Sequence, residues 1–353
     1  MSSFITDLLC PHLLNLAPYQ SARSEFKGQA DIFLDANEAA DGRYNRYPDP
    51  LQQKVKARLA TLHQVDPAQI FVGNGSDEAI DLLLRLFCEA GKDAIITLPP
   101  TYGMYKVSAA INNIQLVEIP LLKGFQPNVE AILAAQNAST KLLFICSPNN
   151  PTGNLMQRGA LQALLEQFQG LVIVDEAYIQ FAAAESTTTL LEQYPNLVVL
   201  QTLSKAWGLA GLRLGMAFAQ AELIQWLTAI KPPYNVNVAT QELALEALQQ
   251  VEVVEKRVAQ TIQERKELKS ALAALPFVEH IYPSDANFLL VQVRQPNELY
   301  EYLIEQKIVV RNRSRVLQCE GCLRFTVGSP TENQQLLKAL EAYAIRLTSS
   351  TSI

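Results

Sequence analysis

The segment 202–215 reads Thr-Leu-Ser-Lys-Ala-Trp-Gly-Leu-Ala-Gly-Leu-Arg-Leu-Gly and follows an apolar run at 197–200. Glycine, hydroxyl and apolar residues surround its lysine, Lys205, and Arg213 comes eight positions later. A lysine near a second cation and partly withdrawn from water has a lowered pKa and becomes a usable amine nucleophile. Hydroxyls and a guanidinium at the same strand end also suit a phosphate group. Taken alone, the segment is equally consistent with a glycine-rich loop that carries an incidental lysine.

Around this segment, short runs rich in valine, isoleucine and leucine alternate with helical patterns. Strands are predicted at 70–72, 93–98, 115–119, 142–146, 171–174 and 197–200, and apolar residues recur at helical spacing in 51–62, 79–88 and 161–168. Strands that alternate with helices predict a mostly parallel sheet covered on both faces. The expected fold class is therefore α/β.

The pattern changes after about residue 235. One long helical stretch is predicted at 240–275, followed by strands at 288–293, 308–311 and 323–327 and a last helix at 333–347. This order indicates a smaller α+β domain, with which the N-terminal segment is expected to pack. The predicted division is a large domain at 40–235 and a discontinuous small domain made of 1–39 and 236–353.

Polar residues follow two of the predicted strands. Asp175 ends the run at 171–174, with Tyr178 three residues later, and the turn at 147–153, Ser-Pro-Asn-Asn-Pro-Thr-Gly, would aim Asn150 into the same crevice. Ligands gather at the carboxyl ends of parallel strands. An aspartate there can face a cationic ring nitrogen and a tyrosine can donate to a phenolate oxygen, two groups that pyridoxal phosphate (PLP) carries. A metal-binding acid or a strand-end cap is the alternative for Asp175, and an ordinary turn is the alternative for 147–153.

A glycine turn precedes the helical pattern at 79–88. Ser76 and Asp77 follow Gly75 there, and the unpaired backbone N–H groups of a helix N-terminus bind phosphate well. Gly73 and Gly75 after a strand also resemble part of a dinucleotide-binding fingerprint. The third glycine of that fingerprint is absent, so a nucleotide-binding enzyme is disfavoured.

In this order and at these separations, the motifs resemble the fold-type I, class II family of PLP-dependent aminotransferases. The motifs are Asn150-Pro151-Thr152-Gly153, Asp175-Glu176-Ala177-Tyr178 and Ser204-Lys205-x-x-Gly208-Leu209-x-x-x-Arg213-x-Gly215. Segments at 18–23, 37–38, 46–48, 75–78, 99–105 and 321–328 are similar to members of the family that act on histidinol phosphate, and the match spans roughly 15–330. Ser76 and Trp207 stand where alanine and phenylalanine are more usual, and both changes are conservative in size.

The resemblance implies a large domain with a mostly parallel seven-stranded sheet and a smaller α+β domain. It implies that Lys205 carries the cofactor as a Schiff base, that Asp175 pairs with its ring nitrogen, and that Asn150 and Tyr178 bond its phenolate oxygen. Lys205, Asp175 and Tyr178 are thus the implied catalytic residues. The implied cofactor-binding residues are Ser76, Asp77, Tyr102, Asn150, Asp175, Tyr178, Thr202, Ser204, Lys205 and Arg213, together with Tyr47 acting on the phosphate site of a partner subunit. The implied substrate-binding residues are Tyr19, Asn37, Arg311 and Arg324.

The resemblance also implies an activity. The expected reaction transfers an amino group between L-histidinol phosphate and 2-oxoglutarate, in histidine biosynthesis, in a homodimer. A threonine-phosphate decarboxylase and an aromatic-amino-acid aminotransferase of the same family carry nearly the same motifs and stay open as alternatives. A non-catalytic regulator with this fold is a further alternative, which the intact Lys205, Asp175 and Arg213 disfavour.

Composition narrows the classes of function. The net charge of −6 and the dispersed lysines and arginines disfavour nucleic acid and anionic lipid as partners. No apolar stretch approaches the roughly 18 residues of a membrane helix, and the first nine residues lack the basic region of a signal peptide. Five scattered cysteines favour reduced thiols and a cytoplasmic location. Cys319 and Cys322 form one C-x-x-C without a second ligand pair, so no metal site is expected.

Overall fold

The structure is a computed structural model that describes residues 3–19, 26, 28 and 30–350, with side chains as far as residue 347. Residues 20–23 of the predicted motif at 18–23 lie outside the described residues.

A seven-stranded sheet forms the centre of the molecule. Its strands are β1 (Ile70–Asn74), β2 (Ala94–Thr97), β3 (Gln115–Glu118), β4 (Thr140–Cys146), β5 (Leu171–Asp175), β6 (Leu197–Thr202) and β7 (Leu214–Phe218). They lie in the order β1-β7-β6-β5-β4-β2-β3. The strands from β6 to β3 pair in parallel, and β7 is antiparallel to both β1 and β6. The predicted mostly parallel seven-stranded sheet is confirmed. β7 is the one strand of this sheet that the alternation of strands and helices did not predict.

Helices cover both faces of this sheet. They are α1 (Phe4–Leu8), α2 (Gln53–His63), α3 (Ser76–Phe87), α4 (Met104–Ile111), α5 (Val129–Ala135), α6 (Arg158–Gln167), α7 (Ala221–Ile230) and α8 (Val238–Leu248). Alternate strand residues supply two cores: Leu143 and Ile145 of β4 face the layer that contains α2 and α6, whereas Leu142 and Phe144 face the layer that contains α3 and α7. Because both faces are buried, the strands are nearly continuous apolar runs.

A second, four-stranded sheet lies beside the first. Its strands, β8 (Val278–Ile281), β9 (Phe288–Val293), β10 (Arg311–Asn312) and β11 (Cys322–Thr326), are antiparallel and ordered β10-β11-β9-β8. Three helices, α9 (Val251–Ala273), α10 (Pro296–Glu305) and α11 (Pro330–Ser350), supply the apolar core on this sheet. The predicted smaller α+β unit is therefore present.

The expected single helix at 240–275 is wrong, since two helices, α8 and α9, meet at Gln249 and Gln250. The helices belong to different cores: Leu248 of α8 packs on the large sheet, whereas Leu268 of α9 packs on the small one. The chain changes direction between them without a glycine or proline to mark the turn.

The N-terminal helix also differs from expectation. Ile5 and Leu9 pack into the core of the large sheet, and Ser3 donates a hydrogen bond to Glu222 of α7. The described residues 3–10 therefore pack with the helices on one face of the large sheet. The proposed division into domains at residues 39 and 235 stays a prediction.

The five cysteines are all buried and none forms a disulfide. Within the described residues, no group of three or more histidine, cysteine, aspartate or glutamate side chains could hold a metal ion. None of the helices in that part of the chain has both the length and the apolar character that crossing a membrane requires.

Candidate active site

A cavity of about 660 Å³ opens at the carboxyl ends of β4, β5 and β6, where the edge of the small sheet faces the large one. Asp175 ends β5, and the loops after β4 and β6 deliver Asn150 and Lys205 to the same cavity, as the sequence predicts for the ends of parallel strands. The predicted site residues that line the cavity are Ser76, Asp77, Tyr102, Asn150, Asp175, Tyr178, Thr202, Ser204, Lys205, Arg213, Arg311 and Arg324.

Asp175 is the deepest charged group of the cavity and is only 3% exposed. Burial raises the pKa of its carboxyl to about 6, although hydrogen bonds from Tyr105 and from the Ala177 backbone act in the opposite direction. The Tyr105 hydroxyl donates to Oδ2 at 2.7 Å, and the Ala177 N–H donates to Oδ1 at 3.1 Å. A nearby cation would favour the ionised carboxylate. The position therefore suits a ring nitrogen that gains a proton.

Lys205 reaches into the cavity from the loop after β6. Its ammonium lies 5.6 Å from the centre of the Tyr178 ring. Partial withdrawal from bulk water lowers the pKa of Lys205, and the neighbouring Arg324 lowers it further, whereas Asp175 acts in the opposite direction. A lowered pKa increases the fraction of neutral amine at neutral pH, as a nucleophilic lysine requires.

A polar pocket beside Lys205 has the features of a phosphate site. Ser76 and Asp77 begin α3, so their backbone N–H groups have no partner within the helix. A Cβ added at Gly215 would lie 2.1 Å from the Ser76 nitrogen, so only glycine lets β7 approach this turn. Arg213 lies 3.8 Å from the Asp77 carboxylate. An anion here would meet a helix N-terminus and a guanidinium together.

Two hydroxyls complete the pocket. The Thr202 hydroxyl donates to the Ser204 hydroxyl at 3.0 Å and itself accepts the Ser204 N–H at 3.1 Å. The pair is therefore held in place by the end of β6 before any ligand binds. Both hydroxyls line the cavity together with Arg213, where they can donate hydrogen bonds to an anion.

The opposite wall carries the groups predicted for a phenolate oxygen. The Asn150 amide donates to the Tyr178 hydroxyl at 3.4 Å, and its oxygen accepts a hydrogen bond from Arg324. Burial raises the pKa of Tyr178, so its phenol stays a neutral donor. The guanidinium of Arg324 also lies 5.0 Å from the centre of the Phe288 ring. Asn150 thus connects Tyr178 to Arg324 through hydrogen bonds.

Tyr102 lies between these walls. Its hydroxyl donates to Asp77 at 3.2 Å, and its ring packs edge-on against Tyr105, with ring centres 5.5 Å apart. The hydrogen bond fixes the ring at the edge of the cavity, where an aromatic face can cover a planar ligand.

Three predicted residues lie elsewhere in the chain. Tyr47 stacks on Tyr234, with ring centres 4.3 Å apart, and it shares a separate cleft with Asn37. Tyr19 is 75% exposed and lines another cleft beside Leu51. Within one chain Tyr19 thus lines a different cleft from Arg324, and the roles of Tyr19, Asn37 and Tyr47 stay predictions.

Two groups at the site, one behind the cavity wall and one on it, were missed by the reasoning from sequence. Tyr105 bonds Asp175 from α4, and Arg313 lines the cavity beside Arg311. Tyr105 falls within the quoted segment 99–105, but nothing in the spacing indicated its partner. For Arg313 the only signal was its distance of two residues from Arg311, a spacing that places two side chains on one face where the chain is extended.

Comparisons with known proteins agree on one family. The model for aminotransferase class I and II matches residues 12–340. A histidinol-phosphate aminotransferase of Cytophaga hutchinsonii is 51% identical over 97% of this chain and 100% of its own length. One of Parabacteroides distasonis is 52% identical over 96% of this chain and 98% of its own. The crystal structure of a histidinol-phosphate aminotransferase from Sinorhizobium meliloti in complex with pyridoxal-5'-phosphate is 24% identical, with a TM-score of 0.78 over 86% of this chain and 83% of that one.

Proposed function

Because this chain belongs to the aminotransferase class I and II family, we propose that it transfers an amino group between L-histidinol phosphate and 2-oxoglutarate, with PLP as cofactor. The observation that carries the proposal is the cavity itself, in which a lysine, a buried carboxylate and a phosphate pocket lie beside arginines. Relatives that carry the name of this activity are about half identical over nearly the whole chain, which supports the choice of substrate.

The cavity fits PLP at each of its polar groups. Asp175 would face the ring nitrogen, Asn150 and Tyr178 the phenolate oxygen, and the pocket at Ser76 and Arg213 the phosphate. Tyr102 would cover the ring. When bound, PLP supplies an aldehyde that condenses with amines and a ring that accepts the electron pair released at the substrate carbon.

Asp175 contributes electrostatics. A carboxylate without a cationic partner is costly at this depth, and a protonated ring nitrogen would supply that partner. The same contact would keep the ring positively charged and thus a good acceptor of electrons. Tyr178 and Asn150 would hold the opposite edge of the ring, so that the reactive carbon faces Lys205.

Lys205 has two tasks in this proposal. Its Nζ would bond the cofactor between turnovers, and as a free amine it would move the proton between the substrate carbon and the cofactor carbon. Both tasks need a neutral amine in part of the cycle, and the lowered pKa of Lys205 favours one. Because Lys205 itself would carry the proton, the transfer would not require a water molecule in the cavity.

The arginine wall would bind the anionic end of either substrate. Histidinol phosphate has no carboxylate, so its phosphate would occupy the position that the α-carboxylate of glutamate uses. Arg324 suits both groups, because a planar guanidinium can bond two oxygens at once. Arg311 lies opposite it on the neighbouring strand.

The proposal includes a homodimer and a cytoplasmic location. Tyr47 is half exposed and lies outside the cavity of its own chain, which is consistent with a role at the phosphate site of a partner. Its ring is positioned by Tyr234, so it is presented at the surface in a fixed orientation.

The proposal is tested by mixing the PLP-loaded protein with histidinol phosphate alone. The visible absorption of the bound cofactor is expected to fall as the amino group is taken up, and to return when 2-oxoglutarate is added. Lys205→Ala, loaded with PLP, is the matched control and should show neither change at a comparable rate. If the spectrum of the PLP-loaded wild type does not respond to histidinol phosphate but responds to aromatic amino acids, the proposed substrate is wrong and the proposed cofactor is supported.

A further inference from the structure

The cavity contains a fourth arginine, Arg313, for which neither the motifs nor the proposed reaction has a use. We propose that Arg313 acts with Arg311 and Arg324 as a three-guanidinium clamp that favours a phosphomonoester dianion over a carboxylate. This inference rests on the proposed function and narrows it to the chemistry of the substrate's anionic end.

The backbone brings the three side chains to one place. Arg311 and Arg324 are direct partners in the ladder between β10 and β11. Arg313 lies two residues beyond Arg311, and side chains two apart in an extended chain share a face. All three line the same cavity.

The position of Arg313 is fixed by its main chain. Its N–H donates to the Cys322 carbonyl at 2.9 Å, and its carbonyl accepts the Val316 N–H at 2.8 Å. Cys322 and Cys319, which closes the same turn, are fully buried. The guanidinium therefore extends from a packed turn and not from a free loop, so binding an anion does not require this stretch of backbone to become ordered.

No acid neutralises this cluster in the part of the chain that the structure describes. None of the three guanidinia forms a salt bridge there. The Nε atoms of Arg313 and Arg324 are buried and have no hydrogen-bond partner. Burial lowers the pKa of Arg313 to about 10, with Arg324 and Arg311 adding to the effect. Three cations held together without an acid are stabilised by an anion bound between them.

The number of guanidinia distinguishes two classes of anion. A carboxylate has two oxygens and one charge, which the fork of Arg324 and the opposing Arg311 can satisfy. A phosphomonoester has three terminal oxygens and a charge of about −2 at neutral pH, so it offers a partner to a third guanidinium. Arg313 should therefore contribute much more to binding a phosphate than to binding glutamate.

The chain offers a matched control in Arg315. It carries the same charge two residues further on, but it is exposed and does not line the cavity. Arg315→Gln therefore removes one positive charge from the same turn without touching the proposed clamp. Any loss of kcat/KM that Arg315→Gln shares with Arg313→Gln reflects long-range attraction between the positive charge and the substrate, and not direct contact.

The test compares the two half-reactions of the PLP-loaded protein. Arg313→Gln is expected to lower kcat/KM for histidinol phosphate by about 10-fold or more, the size of one charge-assisted hydrogen bond, and to change the value for glutamate far less. Arg315→Gln should change neither. An equal loss for both substrates, or no loss for either, would overturn the proposal.

A second measurement separates this inference from the proposed function. Inorganic phosphate is titrated calorimetrically into the PLP-loaded wild type, whose cofactor pocket is filled, and into Arg313→Gln. Weaker phosphate binding to the variant supports the clamp, whether or not the wild-type protein turns over histidinol phosphate. A wild-type protein that does not turn over histidinol phosphate would contradict only the proposed substrate. Equal affinities refute the clamp. If Arg313→Gln does not fold, Arg313→Lys keeps the charge and loses the fork, and it is expected to weaken phosphate binding in the same direction.

Discussion

Asp175→Asn should make the cofactor-free protein more stable at neutral pH, although it removes a group that the proposed reaction needs. The reason is the burial of Asp175, which raises the pKa of its carboxyl from 3.8 to about 6 in the folded chain. A carboxyl whose pKa is higher when folded binds its proton more tightly in the folded state. Its ionisation therefore destabilises the fold as the pH rises through this interval, and the whole penalty is present above about pH 6.

The size of the effect follows from the shift. Two pKa units at about 1.4 kcal/mol each give about 3 kcal/mol for a fully buried group. Asparagine is neutral and close in shape to the protonated acid, so it escapes this penalty. At pH values above the folded pKa, the free energy of unfolding of the variant should exceed that of the wild type by up to about 3 kcal/mol. The difference should vanish at pH values below the unfolded pKa of 3.8.

Urea unfolding of the two cofactor-free proteins, at one protein concentration and over a range of pH, measures this difference. Asp41→Asn, which changes an exposed acid, is the control and should not show the same pH dependence. Added PLP should then reverse the order, because a ligand stabilises the protein that binds it more tightly. Wild type and Asp175→Asn with equal free energies of unfolding at all pH values would refute the reasoning.

Three further predictions concern single contacts. Borohydride reduction of the PLP-loaded protein should attach the label to Lys205, and a label on any other lysine would reject its role. Tyr105→Phe removes a hydrogen bond that lowers the pKa of Asp175, so the pH needed for tight PLP binding should rise, as fluorescence titration would show; an unchanged pH profile would mean that the contact is only structural. Mixing Tyr47→Phe subunits with Lys205→Ala subunits should restore one intact site in each hybrid if Tyr47 serves the partner, and an absence of restored activity would reject that role. A fully active monomer in sedimentation would contradict the dimer.

Much of the fold could be predicted from the sequence because its signals are local. Each predicted parallel strand is a run of β-branched and leucine residues, and the chemistry lies directly after three of them, at Asn150, Asp175 and Lys205. The carboxyl ends of parallel strands meet at one edge, so consecutive motifs predicted a common site.

The remainder depends on contacts between distant parts of the chain. Tyr105 meets an acid 70 residues away, and a strand of only two residues, β10, precedes Arg313. Leu214–Phe218 lies at the end of the lysine motif and has no separate pattern, so β7 was not recognised. The break at Gln249 arises because the two helices pack on different cores, which no local residue preference indicates.

The most direct test of the proposed function is a product measurement with the purified, PLP-loaded protein. Histidinol phosphate and 2-oxoglutarate should yield glutamate in equal amount to the histidinol phosphate consumed, and threonine phosphate should yield no carbon dioxide. Release of carbon dioxide from threonine phosphate, with no glutamate formed from histidinol phosphate, would contradict the assignment and identify a decarboxylase built on the same site.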